Sequence, residues 1–215
     1  MDRCSWRYGY LAAAVMIVLA GLSAAGCSGL RGLGYLIKGN DVDADFPGLK
    51  EKKVVVVCRP LVSLQYRNAG AARELAQQIG SYLEANVPKI KVVDQQEVGA
   101  WMDENSWEEF SEVGKAMKAD MVVGVDLTSF SVLNGQTLYQ GRANVSFKVY
   151  DCEKKKVVYE KTLPQCVYPP NISMPADKPE NDFRSEFIRV VASQISRHFY
   201  VHDEHADIGL DGGLH

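Results

Sequence analysis

Histidine is nearly absent from most of this 215-residue chain: all four lie within the last eighteen residues, His198, His202, His205 and His215. A Ser–His–Asp or Cys–His arrangement needs its base near a nucleophile, so histidines confined to one terminus argue against triad chemistry. Neither a G-x-S-x-G elbow nor a P-loop occurs. Gly29, Gly32 and Gly34 do not give the dinucleotide fingerprint. Basic residues are not in excess: 24 Lys and Arg stand against 27 Asp and Glu, for a net charge of −3. Nucleic-acid binding relies on clustered cations that neutralise phosphates, so that class of partner is set aside. Five cysteines show no C-x-x-C spacing, which removes structural zinc. The sequence implies no cofactor and no enzyme.

One apolar run is present, Tyr10–Leu22, thirteen residues long. As a helix it rises about 20 Å, against a hydrocarbon core of about 30 Å. Arg3 and Arg7 precede it, and Ser23, Ala24, Ala25, Gly26 and Cys27 follow. A charged start, a short apolar middle and a small-residue end describe a secretory signal peptide. Three outcomes compete at its end. In the first, Ala24-Ala25-Gly26-Cys27 is a bacterial lipobox and Cys27 becomes the acylated mature N-terminus, although Ala24 holds the place where Leu is usual. In the second, ordinary cleavage follows Ala25; in the third, the run stays as an uncleaved anchor. Acylation leads. Cys4 would leave with the leader, so Cys58, Cys152 and Cys166 remain, enough for one disulfide. Cys58 ends an apolar strand and reads as a buried thiol.

The expected domains are a signal peptide over 1–26, a lipidated Cys and Gly-bearing tether over 27–52, a folded domain over 53–200 and a polar tail over 201–215. Val54–Val57 is a continuous β-branched run, the mark of a strand covered on both faces. Ala69–Asn86 carries a helical stripe of Ala72, Leu75, Ile79, Tyr82 and Leu83. Ile90–Val93 predicts a second strand. Asp94 with Glu97, and Ser106 with Glu109, predict two capped short helices. Asp120–Leu133, Thr137–Tyr150 and Val157–Val167 predict three more strands, the first two turning at Asn134-Gly135. Four prolines precede a last helix over Glu180–Phe199. The fold class that follows is α/β. A mixed sheet of about five strands, first parallel across helical crossovers and then an antiparallel meander, is packed by about four helices.

The segments AARELAQQIGSYLE, GKAMKADMVVGVDL and VYDCEKKKVVYE together resemble a small periplasmic α/β domain. It occurs in the curli secretion lipoprotein family, the lipoprotein activators of penicillin-binding proteins and the N-terminus of TolB. Ala119-Asp120 and Tyr150-Asp151 match its motifs, while Lys155 stands where the family has Gly. The resemblance implies an envelope accessory or assembly role through protein contacts, with no shared active site. The reading is a lipid-anchored, periplasm-facing module that touches the membrane through its N-terminal lipid and binds an envelope protein. Ser28 after Cys27 points to the outer membrane.

Alternatives remain open. A homo-oligomeric subunit of a secretion assembly is one. A metal-dependent envelope protein is another, with His198 and His202 at i, i+4 and His205 as a third ligand. Against the metal stands a solvated tail that offers no support to a fixed site. The run Lys154–Lys156 and the acids Glu108, Glu109 and Glu112 read as solvated charge, and Trp101 and Trp107 as packing of short helices.

Overall fold

The structure is a computed structural model that describes residues 41–60, 69–135, 137–175 and 179–203. From Val42 onward these belong to one compact unit. Strand β1 (Lys53–Pro60) leads to helix α1 (Ala69–Asn86), the short strand β2 (Lys91–Val92), and helices α2 (Gln95–Glu104) and α3 (Phe110–Ala116). Strands β3 (Met121–Asn134) and β4 (Leu138–Asp151) form a long hairpin, followed by β5 (Lys156–Thr162), β6 (Cys166–Tyr168) and β7 (Met174–Pro175). Helix α4 (Glu180–Ser196) runs into a 3₁₀ turn, Arg197–Phe199. The sheet order is β2-β1-β3-β4-β5, with β6 and β7 also paired to β4. Strands β2, β1 and β3 are parallel; the rest are antiparallel. This is the mixed α/β architecture that the hydrophobic pattern predicts.

The four valines of β1 explain why the sheet is covered twice. Side chains alternate along a strand, so Val54 and Val56 point one way and Val55 and Val57 the other. Val54 and Val56 enter the larger core with Leu75, Ile79 and Leu83 of α1 and Phe183, Phe187 and Ile195 of α4. Val55 and Val57 enter a second core with Val98 of α2, Phe110 and Val113 of α3, and Met117. All four valines are essentially inaccessible, and burying each contributes about 1.5–3 kcal/mol.

The motif residues of the resemblance hold the frame. The Lys53 backbone N–H donates to Asp120 Oδ2 at 2.7 Å, and the Asp120 N–H returns a bond to Lys53 O at 2.8 Å. Lys53 Nζ donates to Met117 O at 2.6 Å, beyond the end of α3. Asp151, almost fully buried, accepts from the Lys154 backbone N–H at 2.9 Å and from Lys154 Nζ at 2.7 Å. These bonds lock the turn into β5. Lys155 in that turn adopts φ 52°, a left-handed conformation that costs a residue with a Cβ about 1–2 kcal/mol. Lys155→Gly is therefore expected to stabilise the protein by about 0.5–1 kcal/mol, the entropy of glycine offsetting part of the gain. An unchanged or lower urea midpoint would contradict this account of the turn.

Several boundaries differ from expectation. The second strand is only Lys91–Val92, because Asp94 caps α2 by accepting from the Gln96 N–H at 2.9 Å and the chain turns helical there. Before α3 the reciprocal cap sits three residues later than Ser106: Glu112 Oε1 accepts from the N–H groups of Glu108 and Glu109, at 3.2 and 2.9 Å. The single strand expected over Val157–Val167 is two strands, interrupted at Pro164, which has no N–H to offer a ladder. The last α-helix stops at Ser196. Packing also reaches back before Lys53: Leu49 is fully buried and Phe46 packs on the larger core. The cysteines Cys58, Cys152 and Cys166 are free thiols.

Candidate functional site

Two places lie at the carboxyl ends of the parallel strands, where α/β sheets bind ligands. The first is the end of β1 beside β3. Arg59 Nε donates to Asp126 Oδ1 at 2.8 Å, its Nη2 lies 2.7 Å from the same oxygen, and its Nη1 donates to Glu108 O at 2.8 Å. The Arg59 guanidinium and the Lys148 ammonium stand 4.9 and 5.2 Å from the centroid of the Phe110 ring. The ring lies on Gly124, where any Cβ would fall 2.6 Å from it. Every guanidinium nitrogen is engaged and the aromatic face is covered. This end of the sheet is a plug.

The second place is open. The β1–β2 ladder proceeds by two rungs, Lys91 N–H to Lys52 O at 2.9 Å and Val93 N–H to Val54 O at 2.8 Å. The next rung would be the Gln95 N–H to Val56 O. Gln95 instead begins α2, and its side-chain Nε2 donates to Val56 O at 3.1 Å. Beyond that point the edge of β1 borders a groove of about 740 Å³ between α1 and α2. Its walls are small residues: Ala72, Ala76 and Gly80 on α1, Gly99 and Ala100 on α2. Its charged lining is Glu84, Asp94, Asp103 and Arg73, and an Arg73–Asp103 ion pair joins the two helices. Cys58 also borders it, but burial pushes that thiol well above its ordinary range, so it offers no thiolate. No histidine lies among the groove's described lining residues. What the groove offers is backbone edge, small apolar walls and excess negative charge.

A third cluster ties the segment before β1 to the domain. Asp45 Oδ2 accepts from Lys161 Nζ at 2.6 Å and Tyr159 OH at 3.2 Å, and lies 2.8 Å from His198 Nδ1. The Phe46 N–H donates to His198 O at 2.9 Å, and its ring stacks on Tyr159 at 5.4 Å. The Lys161 and His198 bonds hold the Asp45 carboxyl down to about 2. Burial lowers His198, Lys161 adds to that, and Asp45 opposes it. Tyr159 is pushed up to about 12 by burial and by Asp45.

The signs follow. A depressed carboxyl contributes stability that is present above its ordinary pKa near 4 and lost as pH falls through about 2. His198, favoured neutral, loses its contribution as pH falls below the unfolded value near 6.5. Asp45→Asn should therefore lower the thermal midpoint at pH 7, with the gap to wild type closing near pH 2. A gap that stays constant over that range would refute the cluster's role.

The histidines named from the sequence do not come together with a carboxylate set. His198 sits in the 3₁₀ turn against Asp45, whereas His202 lies beyond it with Nδ1 3.2 Å from Tyr200 O. Among the described residues no group of three or more His, Cys, Asp or Glu could hold a metal. Cys27 and His205 lie outside the described residues. Trp101 and Trp107 are half-buried against the second core, Trp107 5.8 Å from Phe110. Glu108, Glu109 and the Lys154–Lys156 run are exposed, and Glu112 is taken up in the cap of α3. Sequence reasoning missed Gln95, Arg73, Asp103 and Asp45. Only Gln95 left a trace, as the residue after a helix cap that cuts a strand short.

No family model matches the sequence, and no curated protein matches it. Among solved structures the chain is similar to a PelC dodecamer from Paraburkholderia phytofirmans, with 12% identity and a TM-score of 0.42 over 71% of this chain and 93% of that one. It is similar to lipoprotein GNA1162 from Neisseria meningitidis, with 12% identity and a TM-score of 0.40 over 67% and 97%. The LpoB C-terminal domain from Salmonella enterica aligns at 12% identity and a TM-score of 0.37 over 61% and 89%. Identities and scores of this size say nothing of what the chain binds. The structures it is similar to include a lipoprotein, the kind of protein whose α/β domain the sequence segments resemble.

Proposed function

We propose that the chain is a lipid-anchored protein of the bacterial cell envelope that works as a non-enzymatic binding or assembly module facing the periplasm. Residues 1–26 are the signal peptide, Cys27 carries the acyl groups, and the chain from Cys27 to the strap at Asp45 tethers the domain to the outer membrane. The observation that carries the binding half of this reading is the groove beside β1. It sets the β1 edge, covered at Val56 by the Gln95 amide, between walls that include Ala72, Ala76, Gly99 and Ala100, and its thiol is held protonated. Such a lining suits recognition of another chain better than bond-making chemistry.

The test is affinity isolation of the protein from detergent-solubilised membranes at native abundance, followed by mass spectrometry. One envelope protein recovered repeatedly, and lost when the groove is filled, is the expected result. Repeated isolation without any partner would sink the reading. A second reading, a homo-oligomeric subunit, draws on Leu133, Leu138 and Ile172, which lie exposed at or near the far end of the β3–β4 hairpin, Ile172 at 67%. Sedimentation of the purified protein as a monomer would dispose of it.

A further inference from the structure

The groove has the form of a position in the sheet that no strand among the described residues fills. Strand β1 runs for eight residues, yet its outer neighbour β2 pairs with it only at Lys53 and Val54. Helices α1 and α2 nevertheless stand on the two faces of the sheet, as they would around a full-length strand. The space between them continues the line of β2 alongside Val56, Val57 and Cys58. At a rise of about 3.3 Å per residue, three or four residues of extended chain span this edge.

The α2 wall has room for a side chain. A Cβ added at Gly99 would find nothing nearer than Arg73 Nη1 at 3.9 Å. The Gln95 amide occupies the place of one missing ladder donor at Val56 O. It is a removable stand-in, because a side chain can rotate away where a strand N–H cannot. Unpaired strand edges are templates for pairing, and a plug of this kind keeps Val56 covered against indiscriminate association.

Charge decides what kind of chain fits. The described lining carries three carboxylates, Glu84, Asp94 and Asp103, and one cation, Arg73. Arg73 is paired with Asp103 and Asp94 caps α2, while Glu84 forms no ion pair among the described residues. An anion would meet uncompensated negative charge, whereas a lysine or arginine would meet Glu84 on the rim. We infer that the groove receives an extended segment of a partner polypeptide that carries a basic residue. The segment lies beside Val56–Cys58 as an added strand, and its backbone N–H displaces the Gln95 amide from Val56 O. This rests on the reading of the chain as a binding module and does not depend on its lipid.

The test uses the full chain purified in detergent and two fluorescein-labelled octapeptides of alternating valine and threonine. One peptide carries two lysines and the other two glutamates at the same positions. Fluorescence anisotropy should show the lysine peptide binding at least about ten-fold more tightly than the glutamate peptide. Amide hydrogen exchange at Val56 and Cys58 should slow on saturation. Gly99→Leu, which fills the groove from a position with space around its Cβ, should weaken binding by about ten-fold or more without lowering the thermal midpoint. Glu84→Lys, on an exposed helix face, should erase or reverse the charge preference.

Absence of binding up to about 1 mM, equal binding of the two peptides, or indifference to both variants would overturn the assignment. Self-association of the protein that Gly99→Leu abolishes would make the occupant a second copy and overturn it equally. Repeating the titration with Cys27→Ser separates this result from the anchor, since groove binding should be the same with and without acyl groups.

Discussion

Phe187→Ala is expected to cost about 3–5 kcal/mol, a large part of the roughly 5–15 kcal/mol that separates folded from unfolded domains. Phe187 is fully buried on α4, and its ring stands 5.3 Å from that of Phe130 on β3. The ring lies so close to Gly141 of β4 that a Cβ there would fall 2.4–2.6 Å from three of its atoms. Removing the ring loses its transfer energy and an aromatic pair. It also leaves a void whose floor is sheet backbone, which cannot collapse as side chains do. The thermal midpoint should fall by roughly 6–20 °C.

Gly141→Val tests the same contact from the other side, since it forces the ring out of a space that only a residue without a Cβ leaves open. Alone it should cost about 1–3 kcal/mol. Combined with Phe187→Ala, the new methyls occupy part of the void, so the double variant should be more stable than the sum of the two losses by about 0.5–3 kcal/mol. Strict additivity in urea denaturation would mean that α4 and β4 do not bear on one another here.

That seam also shows what the sequence could and could not reveal. Local patterns were legible where one element's own residues settle its state. The valines of β1 announce a strand covered on both faces, and the stripe of α1 places that helix at Ala69–Asn86, as found. Lys155 stood at the glycine position of the resembled family, and the left-handed backbone there shows why glycine suits it. Features that depend on distant pairs were not legible. Asp45 meets Lys161 across 116 positions of chain, and nothing near Asp45 marks it as a latch. The groove is a consequence of where β2 stops. That end is set by Asp94 capping α2, while the run Ile90–Val93 reads as a short strand and does not show how little of the neighbouring edge it covers. The cap of α2 was legible in place, at Asp94, whereas that of α3 was legible only in kind, because Ser106/Glu109 and Glu109/Glu112 have the same spacing.

Cys27→Ser should produce the largest functional change, the loss of the lipid anchor. Each buried methylene of an acyl chain contributes about 0.8 kcal/mol, and one myristoyl-sized chain alone gives only marginal, reversible binding, so a stable anchor needs more than one. An acylated Cys27 would then keep the wild-type protein in the membrane fraction through a high-salt wash. The serine variant has no thiol to acylate. It should either be cut after Ala25 and leave with the soluble fraction, or persist as a precursor that retains Tyr10–Leu22. Intact mass distinguishes these forms: acylation predicts a wild-type chain that begins at Cys27 and carries added hydrocarbon. Ala24→Leu restores the usual lipobox residue and should raise the acylated fraction if the wild type is incompletely processed. A wild-type chain beginning at Gly26 with an unmodified Cys27 thiol would end the lipoprotein reading, and with it the outer-membrane placement drawn from Ser28. The groove proposed as the binding site would be unaffected in that case, since it is built from residues separate from Cys27, so the proposed membrane attachment and the proposed recognition stand or fall independently.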